Sequence, residues 1–237
     1  MNYNRHPRNI FFPTPPAASW SANNAVLSAY DASLLSVWRL EDTADSKGSN
    51  TLTTHGDITF DSGLHNNAAV FPSPLTPRKW FGNTSPTGLP TGTTDFTFAV
   101  WWYPTTIRDI TCLFLYDQSS YFEIYGSTGA LWFVSNVIGN FGVDAWPTLN
   151  AWNLCTLTRI SGVFKFYLND VLKGTNSSKT AAELPSCTKL SIGGNSTVDD
   201  QSVIGKLDEA YVWVGKGFTG DDVTALYNSG TGAFYVP

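Results

Sequence analysis

The sequence predicts an all-β protein, a two-sheet antiparallel sandwich closed by one short C-terminal helix and preceded by an extended N-terminal arm. Three observations predict it. Short apolar runs rich in aromatic and β-branched residues recur along the chain, carried by 15 Phe, 10 Tyr and 9 Trp. Gly, Pro, Thr, Ser and Asn fall between them as turn residues. Only the stretch from Phe218 to Gly230 has a helical period. At 237 residues the chain suits one large sandwich, and the division expected is an arm over 1–31 followed by a single domain over 32–237.

The arm comes first. Pro7, Pro13, Pro15 and Pro16 stand beside Ile10, Phe11, Phe12 and Trp20, a pattern too broken by proline for helix and too apolar for a solvated linker. No acidic residue occurs before Asp31, whereas Arg5 and Arg8 are present. The expected role is assembly: Ile10, Phe11, Phe12 and Trp20 seat on a neighbouring subunit, and Arg5 and Arg8 meet an acidic surface.

Leu34 to Leu40 reads as the first sandwich strand, with a polar turn region over Glu41 to Asn50. Ile58–Phe60 and Ala68–Phe71 form the next hairpin. Pro72 to Asp95 reads as a long proline-rich loop carrying Arg78, Lys79, Trp80 and Phe81. Strands follow over Phe96–Tyr103 and Cys112–Tyr116, then a glycine-flanked hairpin, Tyr121–Tyr125 with Ala130–Val134. Trp152–Arg159 and Val163–Leu168 come next, with a tight turn at Asn169-Asp170, and then Lys189–Ile192.

The C-terminal stretch is the richest. In a regular strand over Ile204–Trp213, Leu207, Glu209, Tyr211 and Trp213 face one side, and Asp208, Ala210, Val212 and Val214 the other. Both faces carry apolar residues, as in a strand between two layers. Thr219 and Asp222 have capping-box spacing, Val223, Leu226 and Tyr227 form an apolar stripe, and Gly230 is placed to end the helix.

This ending, an Asp-Glu strand followed by a helix closing Leu226-Tyr-Asn-Ser-Gly230, resembles the last segment of the laminin-G-like jelly rolls of the concanavalin A-like superfamily. Phe96-Thr-Phe-Ala-Val-Trp-Trp-Tyr-Pro104 is similar to that family's central strand. Trp152-Asn-Leu-Cys-Thr-Leu-Thr-Arg159, with Phe164 to Gly174, is similar to its Trp-led strand and following hairpin. The family usually turns at Asn-Gly where this chain has Asn169-Asp170. The resemblance runs from about Leu34 to Gly230 and implies a jelly roll. It also implies a structural Ca²⁺ held by Asp208 with Glu41 or Asp42 as helper, a hard-cation site of oxygen donors; the alternative at Asp208 is an ordinary pairing with Lys206 or a backbone amide.

Retaining glucanases of the superfamily need two carboxylates about 5 Å apart on one strand face, which on a strand means Glu-x-Asp-x-Glu. The chain has no such triplet: Asp208 and Glu209 are adjacent, and Glu123 has no acidic neighbour two residues away. His6, His55 and His65 show no ligand or triad spacing. No catalytic residue is assigned and no enzyme is expected.

Composition narrows the rest. A net charge of −5 argues against a nucleic-acid partner. The N-terminus lacks a signal-peptide core and no run reaches membrane-spanning length, so no membrane insertion is expected. Of three cysteines, Cys112 and Cys155 sit in apolar strand patterns and read as buried thiols, which fits folding in a reducing cytoplasm and leaves the sequons at Asn83, Asn176 and Asn195 unused. Arg78, Lys79, Trp80, Phe81 and Tyr121 form the expected ligand-binding patch, for sugar or protein; Tyr116 and Trp146 lie in or beside loops of the same kind. The function expected is a non-enzymatic structural or binding module, at a virion surface (phage capsid decoration or tail-associated), docked on other subunits of an oligomeric assembly through its arm. The alternative is a free, extracellular lectin-like module that binds a surface glycan.

Overall fold

The computed structural model describes residues 19–21, 24–73, 77–106, 111–115, 122–127, 130–135, 141–143, 146–178, 183–184, 186–196 and 201–236, with backbone alone between 111 and 143. In chain order the elements are β1 (Ser19–Trp20), α1 (Ala25–Ala29), β2 (Leu34–Trp38), β3 (Thr53–His55), β4 (Thr59–Ser62), β5 (Asn67–Phe71), β6 (Trp80–Asn83), β7 (Phe96–Thr106), β8 (Thr111–Leu115) and β9 (Phe122–Ser127). They continue with β10 (Ala130–Ser135), β11 (Phe141–Val143), β12 (Asn153–Ile160), β13 (Val163–Leu168), β14 (Val171–Asn176), β15 (Leu190–Ile192), β16 (Ile204–Val214), α2 (Gly220–Tyr227) and β17 (Tyr235–Val236).

Two antiparallel sheets make the sandwich. One runs β11-β10-β9-β8-β15-β6-β3, the other β14-β13-β12-β7-β16-β5-β4, with β2 also pairing β16. Alternating residues of β7, β12, β13 and β16 (Phe96, Phe98, Trp102, Leu157, Phe166, Leu207, Val212) meet Phe81, Leu190 and Ile192 of the facing sheet in the inter-sheet core. The opposite face of the second sheet is also covered. Ala99, Trp101, Leu154, Tyr211 and Trp213 lie under Leu27 of α1, Val223 and Leu226 of α2, and Trp20 and Tyr235. That is why the central strands are apolar on both sides.

The helix α2 forms as its sequence predicts. Thr219 Oγ1 accepts from Asp222 N at 3.3 Å and Asp222 Oδ2 accepts from Thr219 N at 2.8 Å, a reciprocal cap. Its end is set by Asn228 rather than Gly230: Asn228 has φ 47 and its N–H donates to the Thr224 carbonyl, because Asn tolerates the left-handed region. Asn169 likewise has φ 58 at the β13–β14 turn, and its Oδ1 accepts from Leu154 N at 3.0 Å.

Three expectations need correction. The first is Trp20, expected in the assembly arm. It is 4% exposed, and its ring stacks on Trp213 at 5.9 Å and lies 5.6 Å from Tyr211. Residues 19–21 and 24–31 are therefore part of the sandwich's covering layer, with β1 paired to β17 and α1 capped by Asn24. An indole has more surface to bury than an extended arm exposes cheaply. Arg5, Arg8, Ile10, Phe11 and Phe12 lie outside the described residues. Second, the loop expected over 72–95 contains β6, a strand too short to show periodicity. Third, β16 does not alternate as a regular strand. Glu209 has φ 47, and the register against β7 jumps between Asp208 and Tyr211. This bulge shifts the phase, so Leu207 shares the inter-sheet core with Ala210 and Val212, while Tyr211 and Trp213 face the outer layer. Among the described residues no helix is long and apolar enough to cross a membrane.

Candidate functional site

The alternation along β6 builds a cleft. Phe81 points into the inter-sheet core, so Trp80 and Gly82 face the other way. His55 is Trp80's cross-strand partner on β3, and the two rings stack at 4.2 Å with 10° between their planes. Glycine at 82 makes this ledge possible: a Cβ there would come within 3.0 Å of Trp80 Nε1 and 3.3 Å of His55 Nε2. The resulting cleft has a volume of about 300 Å³, and Asn83, Thr84, Lys189, Ser191 and Ser196 complete its walls. Such a volume is at the small end of ligand sites and suits one or two sugar-sized rings. Burial holds the His55 imidazole below its usual range, so at neutral pH it is an uncharged aromatic surface with a polar edge.

The expected patch is thus divided. Arg78 and Trp80 are partly exposed, with the Arg78 guanidinium 5.6 Å from the Trp80 ring centre and its Nη1 donating to the Ser196 carbonyl at 2.8 Å. Lys79 and Phe81 are fully buried and form no part of an exposed patch. Lys79 lies along the sheet with its ammonium 3.2 Å from Asp57 Oδ1 at the surface. Strand alternation forbids four consecutive residues from sharing one face. Tyr116 and Tyr121 lie outside the described residues, and Trp146 packs partly against the inter-sheet core.

A second cluster surrounds the β16 bulge. There β16 passes from pairing with β5 at Leu207 to pairing with β2 at Ala210, and the loop after β4 enters the gap. Asp208 Oδ2 accepts from Leu64 N at 2.8 Å and His65 N at 3.1 Å. Gly63 admits this approach, since a Cβ would lie 2.5 Å from that oxygen. Asp208 Oδ1 is buried without a partner. Burial first, and the neighbouring Glu209 charge second, push the Asp208 carboxyl up to about 8. Glu209 Oε2 accepts from the Tyr211 hydroxyl at 2.7 Å, while Oε1 lies 3.2 Å from His65 Nδ1 and 3.6 Å from Arg39 Nε. Arg39 Nη2 also reaches Glu41 Oε1 at 3.2 Å.

The cluster bears on both calcium and catalysis. Glu41, His65 and Glu209 each bring a donor atom within 4.8 Å of the others, a grouping the sequence did not reveal. Arg39, however, already neutralises the two carboxylates. Glu41 also accepts from Asn66 at 3.1 Å, and Asp42 Oδ1 accepts from Ala44 N at 2.7 Å in an exposed turn. Asp208 Oδ1 is buried without a partner, but neither Asp208 nor Asp42 joins the Glu41–His65–Glu209 grouping among the described residues, and Ca²⁺ takes six to eight oxygens. On this geometry the residues do not fit a calcium ion. Glu209 has no accessible surface and Arg39 clamps it, so the pair holds charge inside the fold rather than presenting it to a substrate.

The single signal that could have found the cleft in the sequence is Trp80-Phe-Gly-Asn83, an aromatic alternation with glycine at the position under the ring. His55, Lys189 and Ser191 join it only through pairing of distant strands.

Comparison with known proteins bears on the fold and the family. No curated protein matches the chain by sequence. Among solved structures, domain 4 of an extracellular arabinanase from Geobacillus stearothermophilus, in complex with arabinotriose, superposes with a TM-score of 0.65 at 19% identity, covering 81% of this chain and 96% of that one. The binding domain of Paraclostridial Mosquitocidal Protein 1 gives 0.67 at 12% identity over 84% of this chain and 53% of that one. The botulinum neurotoxin serotype D ligand binding domain in complex with N-acetylneuraminic acid gives 0.66 at 13% identity, over 86% of this chain and 53% of that one. The chain spans about half the length of these toxin domains, and at such identities the likeness is one of fold. The sequence profile of the laminin-G group described as the concanavalin A-like lectin/glucanases superfamily matches residues 82–224, more than half of the chain, and the protein belongs to that family.

Proposed function

We propose that this protein is a non-enzymatic glycan-binding module whose ligand lies in the Trp80–His55 cleft. The observation that carries the reading is the stacked, partly exposed ring pair at a 300 Å³ cleft with hydroxyl, amide and ammonium groups around it. Sugar rings present C–H faces to aromatic surface and hydroxyls to polar neighbours, and this cleft offers both. The arabinanase domain bound to arabinotriose and the toxin domain bound to N-acetylneuraminic acid share the fold and support a sugar ligand. The test is a glycan array probed with the labelled full chain and with Trp80→Ala. Specific binding lost in the variant supports the reading; no binding, or binding unchanged in Trp80→Ala, removes it.

The setting is a separate part of the proposal. Residues 1–18, with Ile10, Phe11 and Phe12 among prolines and Arg5 and Arg8 as the charges, would tether the module to another subunit, as at a virion surface. Their apolar side chains and lack of acidic residues support this docking role.

A further inference from the structure

The floor of the cleft carries the groups that would tell one sugar from another. Gly82 on β6 pairs with Ser191 on β15, and because Phe81, Leu190 and Ile192 turn into the inter-sheet core, Gly82 and Ser191 both face the cleft. Beside them stand the stacked rings of Trp80 and His55. The position a Cβ would take at Gly82 is 3.0 Å from Trp80 Nε1 and 3.3 Å from His55 Nε2. Both ring nitrogens therefore converge on the one place in the floor that has no side chain, and the Ser191 hydroxyl stands next to it on the neighbouring strand. Among the described residues, these three polar groups have no hydrogen-bond partner within the protein. An indole N–H only donates, a neutral imidazole offers one accepting nitrogen, and a serine hydroxyl does either. The single group that satisfies such a set is one that accepts and donates through the same atom, a hydroxyl.

We propose that the cleft selects neutral sugars by one free hydroxyl seated over Gly82, which accepts from Trp80 Nε1 and donates to His55 Nε2 or Ser191 Oγ. This rests on the glycan-binding reading of the same cleft and adds the determinant of its specificity. The aromatic surface holds a sugar ring with little regard to its identity, whereas the floor distinguishes sugars by what stands at one carbon. A sugar deoxygenated there leaves the indole N–H and the imidazole nitrogen desolvated without a partner. A methyl ether there has no proton to give and needs the space that only a glycine leaves.

The experiment titrates two neutral probes, arabinotriose for pentoses and lactose for hexoses, each beside its set of singly deoxygenated analogues, into the wild type, His55→Phe, Ser191→Ala and Gly82→Ala. In the wild type one analogue of a binding probe is weaker than its parent by about tenfold, the worth of one or two hydrogen bonds in a partly open site. His55→Phe keeps an aromatic ring beside Trp80 and removes Nε2. In it or in Ser191→Ala the gap between parent and analogue closes, as coupled partners require. Gly82→Ala, whose methyl takes the hydroxyl's place, binds the parent no better than the wild type binds the weak analogue. Analogues that all bind as tightly as their parents, with binding lost in Trp80→Ala, overturn the hydroxyl selection and leave the glycan-binding module standing. A gap that stays at full size in both His55→Phe and Ser191→Ala, or a Gly82→Ala protein that binds the parent as the wild type does, overturns the assignment to this floor. If neither probe binds while the array registers other glycans, the hydroxyl selection falls alone; if the array is also silent, both readings fall.

Discussion

Trp20→Ala tests whether the segment before residue 31 belongs to the domain. The ring is 4% exposed and stacks against Trp213, Tyr211 and Tyr235. A buried Trp removes roughly 200 Å² from water, worth about 5 kcal/mol. Its Nε1 is buried without a partner, an offsetting cost of about 1–3 kcal/mol that the truncation relieves. The net loss is about 2–4 kcal/mol, which for a domain of this size lowers Tm by roughly 5–15 °C. Thermal unfolding followed by near-UV circular dichroism reads it, and Trp20→Phe should recover much of the difference. A Tm within a degree or two of wild type would refute the reasoning and return Trp20 to a free arm.

The remaining predictions concern the bulge and the N-terminus. The native Asp208 carboxyl sits near 8, above the unfolded value of 3.8. The folded state therefore holds a proton that the unfolded state has released, and stability falls as pH rises from about 4 to about 8. Relative to wild type, Asp208→Asn should flatten that fall, by up to about 4 kcal/mol between pH 5 and pH 8, as read by denaturant titration at each pH; parallel profiles would contradict it. EDTA should leave the wild-type Tm unchanged, and a chelation-dependent drop absent in Asp208→Ala would restore calcium at that residue. Deleting residues 1–18 should preserve the fold and glycan binding while abolishing association with a partner subunit, read by thermal unfolding and size-exclusion chromatography; undiminished association would remove the docking role.

The sequence was most legible where local rules act alone. Strands β7, β12 and β13, the Thr219–Asp222 cap and the Asn169 turn all follow from period, capping chemistry or a left-handed asparagine. It was least legible where one residue changes the frame. Glu209 in the left-handed region inserts a bulge into β16, and every alternation argument beyond it then inverts, which is why Asp208 and Glu209 sit in one buried cluster. That cluster also needs Arg39 and His65, brought there by strand pairing that no local pattern encodes. The cleft followed the same logic: Trp80 and Arg78 could be singled out, but strand alternation buries Lys79 and Phe81, and His55 arrives from β3.

The most direct test of the account is the position of bound sugar relative to Trp80. Indole N–H resonances of the full chain are recorded with increasing oligosaccharide, the Trp80 signal being assigned by its absence in Trp80→Phe. Binding in the cleft predicts that the Trp80 resonance shifts, while those of the fully buried Trp38, Trp101, Trp102 and Trp213 stay in place. A bound sugar that leaves Trp80 unmoved and shifts another indole would contradict it.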